Sequence, residues 1–341
     1  MSDRTCVRIG SAGRMAGMKK MKVLISFDLP EVFVEKIKDV SSNLEVFRSE
    51  DKEEALRLIE DADILFAGFF SKELFVAAKR LKWIQAWGAG VDGLLLPEVV
   101  KSQVLVTNAG GVHPTPISEH VVGLMLCLCR KLHLFIRNQA ERKWERFESW
   151  ASVEQVEELS GKTVGIVGLG RIGTEIAQKA KCLGMRVIAT KRDPSQMAST
   201  SVDRLIPPAD LNQLFAESDF VVLSLPLTKE TEGMMGEAQF KSMKRTAYLI
   251  NVSRGKIVQE DKLIEALKQG WIAGAGLDTF ENEPLQGDSE LWGFRSVIIT
   301  PHVAGLTPHY MERLTGIFCE NLDRFIHKRP LINVVDKNLG Y

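Results

Sequence analysis

The chain has 341 residues, 45% of them apolar and 26% charged, with 27 Gly and 12 Pro. That composition excludes collagen-like, low-complexity and broadly disordered chains, and the length calls for two domains rather than one core. Lys+Arg 44 against Asp+Glu 44 leaves no net charge, so the basic excess that nucleic-acid or membrane-surface binding uses is missing.

Residues 1–21 hold Arg4, Arg8, Arg14, Lys19 and Lys20 against the single acid Asp3, with no apolar h-region. They read as an N-terminal extension ahead of the fold, with a transit peptide as the alternative. From Lys22 short apolar runs alternate with amphipathic ones. Val23–Phe27, Val46–Phe47, Ile64–Ala67, Ile84–Trp87 and Val104–Thr107 read as buried strands, with helices over Glu31–Val40, Glu53–Asp61 and Ser71–Lys79 between them. Such alternation builds βαβ units and a parallel sheet. A long helix follows, capped by Thr115, with Pro116 in its first turn and apolar positions running to about Ile136. Its Val121–Cys129 stretch, the longest apolar run, is apolar all round, so it reads as buried between layers and falls far short of a bilayer span.

The acidic, Trp-containing stretch Glu141–Leu159 reads as a connection or arm. A second alternating module then places strands at Thr163–Val167, Arg186–Thr190, Phe220–Leu223, Ala247–Ile250, Gly274–Leu277 and Val297–Thr300. A final helix is signalled by Thr307-Pro308, with Leu314, Ile317, Phe318, Leu322, Phe325 and Ile326 at helical spacing. Cys6, Cys127, Cys129, Cys182 and Cys319 are scattered and form no C-x-x-C. That fits a reduced cytoplasmic chain better than a disulfide framework, and no metal site is expected.

Gly168-Leu169-Gly170-Arg171-Ile172-Gly173 is a G-x-G-x-x-G run between the strand Thr163–Val167 and a helix over Thr174–Leu183. That context makes it a dinucleotide loop. Gly168 permits the tight turn, Gly170 lets backbone amides near a pyrophosphate, and Gly173 allows close helix–strand packing. An acid at the end of the next strand would read the adenine ribose, yet Arg186–Thr190 ends in Lys191-Arg192. Two cations suit a ribose 2′-phosphate, so NADP(H) is favoured over NAD(H). Asp193 would serve as the ribose reader if the register shifts by two.

Three later segments put polar residues at strand ends: Asn251-Val252-Ser253-Arg254-Gly255, Asp278 to Leu285, and Pro301-His302-Val303-Ala304-Gly305. Ligands of a doubly wound sheet bind beyond the carboxyl ends of its strands, so these residues can converge. An Arg to hold a carboxylate, a His to supply a proton and an acid to support that His are what reduction of a 2-oxo acid needs.

With these segments, Gly88-Ala89-Gly90-Val91-Asp92, Asn108-Ala109-Gly110-Gly111-Val112, Ser118-Glu119-His120 and Leu225-Pro226-Leu227-Thr228, the sequence resembles the D-isomer-specific 2-hydroxyacid dehydrogenase family from Lys22 to the C-terminus. The resemblance implies a Rossmann dinucleotide-binding domain (115–305) inserted into a smaller flavodoxin-like α/β substrate domain (22–114 and 306–341), with hinges near Val112–Thr115 and Thr300–Thr307. It implies that Arg254, Glu283 and His302 are catalytic, and that the amides of Ala89 and Gly90 receive the substrate carboxylate together with Arg254. It places Asp278 and the Val252 carbonyl near the nicotinamide, and Leu225, Pro226 and Thr231 at the adenine wall. Glu281 and Asp278 neighbour Glu283, whose spacing to Pro284-Leu285 favours it over them. His113 falls in the hinge region; His120 reads as a helix-packing histidine, and His133, His309 and His327 as surface residues.

The implied partners are a small 2-oxo or 2-hydroxy acid and a second copy of the chain, the arm around Trp144–Trp150 packing on it. Glyoxylate and hydroxypyruvate fall within the expected range, and larger keto acids stay open. The alternatives are a formate- or phosphite-type dehydrogenase, against which Glu283 argues, and an NAD(P)-sensing co-repressor-like binding protein.

Overall fold

The computed structural model describes residues 20–144, 156–192 and 201–340. The extension to residue 19, Asp193 and most of the Trp-containing arm therefore lie outside the described residues. Among those described, two all-parallel sheets form. The first takes β1 (Met21–Ile25), β2 (Leu44–Arg48), β3 (Ile64–Ala67), β4 (Trp83–Ala86) and β5 (Leu105–Thr107), in the order β2-β1-β3-β4-β5. This is the flavodoxin-like doubly wound order. Its connections run through α1 (Glu31–Lys38), α2 (Lys52–Leu58), α3 (Lys72–Ala77) and α4 (Pro97–Lys101). Asp51 and Ser71 cap α2 and α3 by accepting the amides of Glu54 and Leu74.

The chain then crosses through α5 (Pro114–Cys129) to the second sheet. That sheet is built from β6 (Thr163–Val167), β7 (Arg186–Thr190), β8 (Arg204–Ile206), β9 (Phe220–Leu223), β10 (Tyr248–Asn251), β11 (Gly274–Leu277) and β12 (Val297–Ile299). Its order β12-β11-β10-β9-β6-β7-β8 reverses direction between β6 and β9. The ligand crevice of such a sheet opens at that switch point. The short β8 escaped sequence reading because three residues carry too little periodicity.

Apolar layers cover both faces of the second sheet. Val121, Leu124, Met125 and Leu128 of α5 pack on one face with Ile176 and Ala180 of α7 (Arg171–Cys182). Leu214 and Phe215 of α8 (Leu211–Glu217), Phe240 of α9 (Glu237–Ser242) and Leu263 of α10 (Glu260–Lys268) cover the other.

Two sequence expectations for the crossing helix are corrected. It starts one residue earlier than Thr115, with Pro114 at its first position and no side-chain cap. Nor does it continue unbroken to Ile136. Arg130 ends it, Lys131 turns left-handed (φ 58°), and α6 (Leu132–Ala140) starts afresh. The Lys131 ammonium is fixed there by the Tyr248 hydroxyl at 2.6 Å, a partner 117 residues away that local pattern does not reveal. His133, expected at the surface, is half-buried, its Nδ1 on the Cys127 carbonyl at 3.0 Å.

The final helix, α11 (Tyr310–Ile326), returns to the first sheet. Phe318 stacks on Phe66 at 4.2 Å and on Trp83 at 5.2 Å, and Leu314 and Leu322 are buried beside them. Val334 then pairs with Thr107, so the chain's end closes on β5. No described helix is long and apolar enough to cross a membrane.

Candidate active site

The G-x-G-x-x-G run lies where β6 meets the N-terminus of α7, at the switch point. Gly168 has φ +99°, and a Cβ there would sit 2.8 Å from the Ser224 carbonyl oxygen. Only glycine fits so tight and left-handed a turn. Across the reversal, the Ser224 hydroxyl beyond β9 donates to the Gly168 carbonyl at 2.8 Å, locking the loop to the neighbouring strand end. Gly170 caps α7 without a side chain, and Arg171 and Ile172 begin its first turn, so backbone amides and the helix dipole face outward. Gly173 is buried behind them.

A cleft of about 610 Å³ opens in front of this turn, lined by Pro114, Gly170, Arg171, Thr174 and Lys191 among others. Lys191 and Arg192 follow directly on β7 at the cleft's edge, and Arg192 pairs with Glu230 at 3.2 Å. Leu225 and Pro226 follow β9, and the Thr231 hydroxyl donates to the Pro226 carbonyl at 2.8 Å to close that loop. An amide-lined turn, an open glycine and a cationic edge fit a dinucleotide.

The candidate catalytic residues gather beyond the ends of β10, β11 and β12. His302 and Glu283 make an ion-pair contact, Nδ1 to Oε2, at 2.8 Å. The other carboxylate oxygen of Glu283 accepts the Phe280 amide at 3.0 Å, which fixes its direction. Glu281, the neighbour that sequence left in competition, instead directs its amide to Glu260. With Nδ1 committed to Glu283, Nε2 is the ring nitrogen that this contact leaves over. His302 adopts φ 55°, a left-handed conformation that few non-glycine residues take.

Asp278 explains how that turn is held. It is 1% exposed, and its carboxylate accepts the Val303 amide at 2.9 Å and the Ala304 amide at 3.0 Å. Its backbone carbonyl accepts the His302 amide at 2.8 Å. Val252, also buried, lies just after β10, and Ser253 beyond it anchors its hydroxyl to the Leu223 carbonyl at 3.1 Å.

Arg254 reaches across from the second sheet to the first. Its Nε donates to Asp92 at 3.1 Å, and its Nη1 to the Ser253 carbonyl at 2.9 Å. Ala89 and Gly90 lie in the loop after β4, and a Cβ on Gly90 would collide with Nη2 of Arg254. The Nη2 end of the guanidinium therefore lies against Gly90, in space that a side chain there would take. That combination can clamp a carboxylate.

His113 caps α5 next to the 302–305 turn. Its ring packs 5.2 Å from Tyr310 and close to Gly305, and burial plus the charge of Arg254 push the imidazole below its usual range. Among the described residues, no group of three or more His, Cys, Asp and Glu is arranged to hold a metal ion.

Residues 122–304 match the family described as D-isomer specific 2-hydroxyacid dehydrogenase, NAD binding domain. The chain belongs to that family. This 2-hydroxyacid dehydrogenase is 34% identical over 327 residues to the glyoxylate reductase of Korarchaeum cryptofilum, covering 94% of this chain and 97% of that one. A D-isomer specific 2-hydroxyacid dehydrogenase family protein from Aeromonas salmonicida has the same fold (TM-score 0.82, 33% identity, 94% of this chain and 100% of that chain). So does an NADPH-dependent glyoxylate/hydroxypyruvate reductase from Sinorhizobium meliloti, solved with NADP and sulfate (TM-score 0.80, 29% identity, 94% and 100%). The dehydrogenase is thus an oxidoreductase of the CH–OH group of small 2-hydroxy acids, using a nicotinamide dinucleotide.

Sequence reasoning missed three residues of the site. Asp92 stood in a motif without a role, Thr300 had none, and His120 read as helix packing. In the fold, His120 Nε2 lies 3.1 Å from the Thr300 hydroxyl. No local signal reports that contact, because 180 residues separate the two.

Proposed function

We propose that the dehydrogenase works as a reductase of small 2-oxo acids, glyoxylate and hydroxypyruvate above all, yielding the D-isomer wherever the 2-hydroxy acid formed is chiral. The observation that carries this reading is the 2.8 Å His302–Glu283 pair, set beside a cationic anchor and a dinucleotide turn. Arg254 and the amides of Ala89 and Gly90 hold the substrate carboxylate and draw electron density from the carbonyl. A bound nicotinamide dinucleotide supplies the hydride to C2. His302, as imidazolium, passes the Nε2 proton to the carbonyl oxygen, while Glu283 stabilises the cation before transfer and holds the ring in place.

NADPH is the preferred donor in this reading. Lys191 and Arg192 stand where a ribose 2′-phosphate would fall, and the Sinorhizobium relative is named NADPH-dependent. Asp278 and the Val252 carbonyl mark the nicotinamide end, and Leu225, Pro226 and Thr231 the adenine wall. The crossings before α5 and after β12 act as hinges between units 22–114 with 306–341 and 115–305, closing the cleft to water. A homodimer belongs to the same proposal. Ile136 and Trp144, 62% and 97% exposed, offer apolar surface for a second copy, and cytoplasmic residence accompanies it.

The test is oxidation of NADPH, and separately NADH, followed at 340 nm with glyoxylate, hydroxypyruvate, pyruvate, 2-oxoisocaproate and phenylpyruvate. Reduction of the smaller acids with a preference for NADPH is expected, and His302→Ala should lower kcat by about 10²–10⁴. Full turnover by His302→Ala would overturn the donor assignment. Dinucleotide binding without turnover of any acid would favour a sensing protein on the same scaffold.

A further inference from the structure

A chain of polar contacts runs behind the catalytic loop, away from the cleft. It starts at His120, on the buried crossing helix α5, whose Nε2 lies 3.1 Å from the Thr300 hydroxyl. The same hydroxyl donates to Asp278 Oδ1 at 2.6 Å. That oxygen also accepts the Val303 amide, and its partner Oδ2 accepts the Ala304 amide.

The direction of these bonds follows from proton counting. The Thr300 hydroxyl donates its single proton to the Asp278 carboxylate, whose two oxygens also accept the Val303 and Ala304 amides. Thr300 then accepts from His120, which fixes the proton of that imidazole on Nε2. Burial pushes the His120 imidazole below its usual range against the opposing pull of Asp278, and in this arrangement Nε2 serves as the donor to Thr300. The 3.9 Å from His120 Nε2 to Asp278 Oδ1 is too long for a direct bond, which leaves Thr300 as the link.

We propose that His120 and Thr300 are positioning residues for His302. They fix the Asp278 carboxylate, and Asp278 holds the 302–304 turn in the left-handed conformation that brings Nδ1 onto Glu283. The inference rests on His302 being the proton donor and extends that reading to a layer that touches neither substrate nor dinucleotide. A left-handed non-glycine residue persists only where its surroundings over-determine it. Here three amides, those of His302, Val303 and Ala304, converge on one aspartate. Without the hydroxyl and imidazole behind it, that carboxylate gains freedom to rotate, and the imidazole in front loses its register.

The experiment uses the full chain with Thr300→Val, which keeps the shape and removes the hydroxyl, and Thr300→Ser, which restores it. Thr300→Val is expected to lower kcat for glyoxylate about 10- to 100-fold, the range that misplacement of an acid–base group produces. KM and the NADPH dissociation constant from fluorescence titration should stay within about twofold, and Thr300→Ser should recover most of kcat. His120→Leu is the independent second variant, with the same loss of kcat expected. The double variant should be no slower than the slower single one, because the two residues act in series.

Unchanged kcat in Thr300→Val and His120→Leu would overturn the inference. So would a parallel loss of kcat, NADPH affinity and thermal midpoint, which marks general destabilisation, or a failure of Ser to rescue. His302→Ala separates the two levels. If it keeps full turnover, the donor reading falls and takes this inference with it. If it is inactive while Thr300→Val is normal, only the positioning role falls.

Discussion

Arg254 and Asp92 join the carboxyl ends of the two sheets through one hydrogen-bonded ion pair, Nε to Oδ2 at 3.1 Å. Arg254 follows β10 in the second sheet and Asp92 follows β4 in the first, so the anchor for a substrate carboxylate depends on both sheets being in register. The side chains are partly exposed, 34% and 45%, so the pair contributes little to stability and acts through orientation. Asp92→Ala should raise KM for glyoxylate about tenfold with a smaller change in kcat and an unchanged thermal midpoint. Asp92→Asn, which still accepts from Nε, should stay near the parent. Steady-state kinetics of the three proteins check this.

Gly90 shares that geometry. Any Cβ there meets Nη2 of Arg254, so Gly90→Ala must push the guanidinium off the loop. The expected result is a fall in kcat/KM of about 10²-fold, appearing mainly in KM, while NADPH affinity is unaffected. A kinetic and fluorescence titration pair measures both.

Removing the cations beyond β7 should change cofactor choice. Arg192→Ala and Lys191→Ala should each lower kcat/KM for NADPH by about 10- to 100-fold, the worth of a charge-assisted hydrogen bond, with little loss for NADH. Glu230, the acid that pairs with Arg192, faces the same position. Glu230→Gln should therefore raise NADPH preference further.

Acid should destabilise the protein in two separate windows. Burial pushes the His113, His120 and His133 imidazoles below the ordinary value of 6.5. Below 6.5 the unfolded chain binds protons that the folded one resists, so stability is full above that pH and falls as pH drops toward the folded values. The Asp203 carboxylate is also shifted down, held below its ordinary 3.8 by the Val187 amide and Lys181. Its contribution is present above 3.8 and is lost only as pH falls through the depressed value. Thermal unfolding between pH 7.5 and 5 should show the histidine window, and His133→Gln should flatten part of it.

Thiol reactivity should follow burial. Cys182 is exposed, whereas burial pushes the Cys319 thiol up to about 11 and raises those of Cys127 and Cys129. A chromogenic disulfide at pH 8 should label Cys182 rapidly, Cys182→Ser should remove one fast equivalent, and Cys127, Cys129 and Cys319 should react only on unfolding.

Several elements were legible from local pattern. The strands β6, β7, β9 and β11 fall on the residues that apolar runs marked, and the G-x-G-x-x-G turn on the strand–helix junction that its spacing requires. These are properties of neighbouring residues: period, turn chemistry and a glycine where only glycine fits. The break at Lys131 was not legible, because nothing in 114–140 announces Tyr248 as its partner. Nor was the link from His120 to Asp278.

The sequence by itself determined the βαβ rhythm, the phosphate turn and the chemical types at each strand end. Only the tertiary structure decided which of those groups meet beyond the favoured Glu283: Asp92 on Arg254, Thr300 between His120 and Asp278. The reason is distance along the chain. Contacts made by residues 19 to 180 positions apart depend on strand order within a sheet, on how α5 packs against it and on how the two sheets meet, and short-range periodicity carries no information about that.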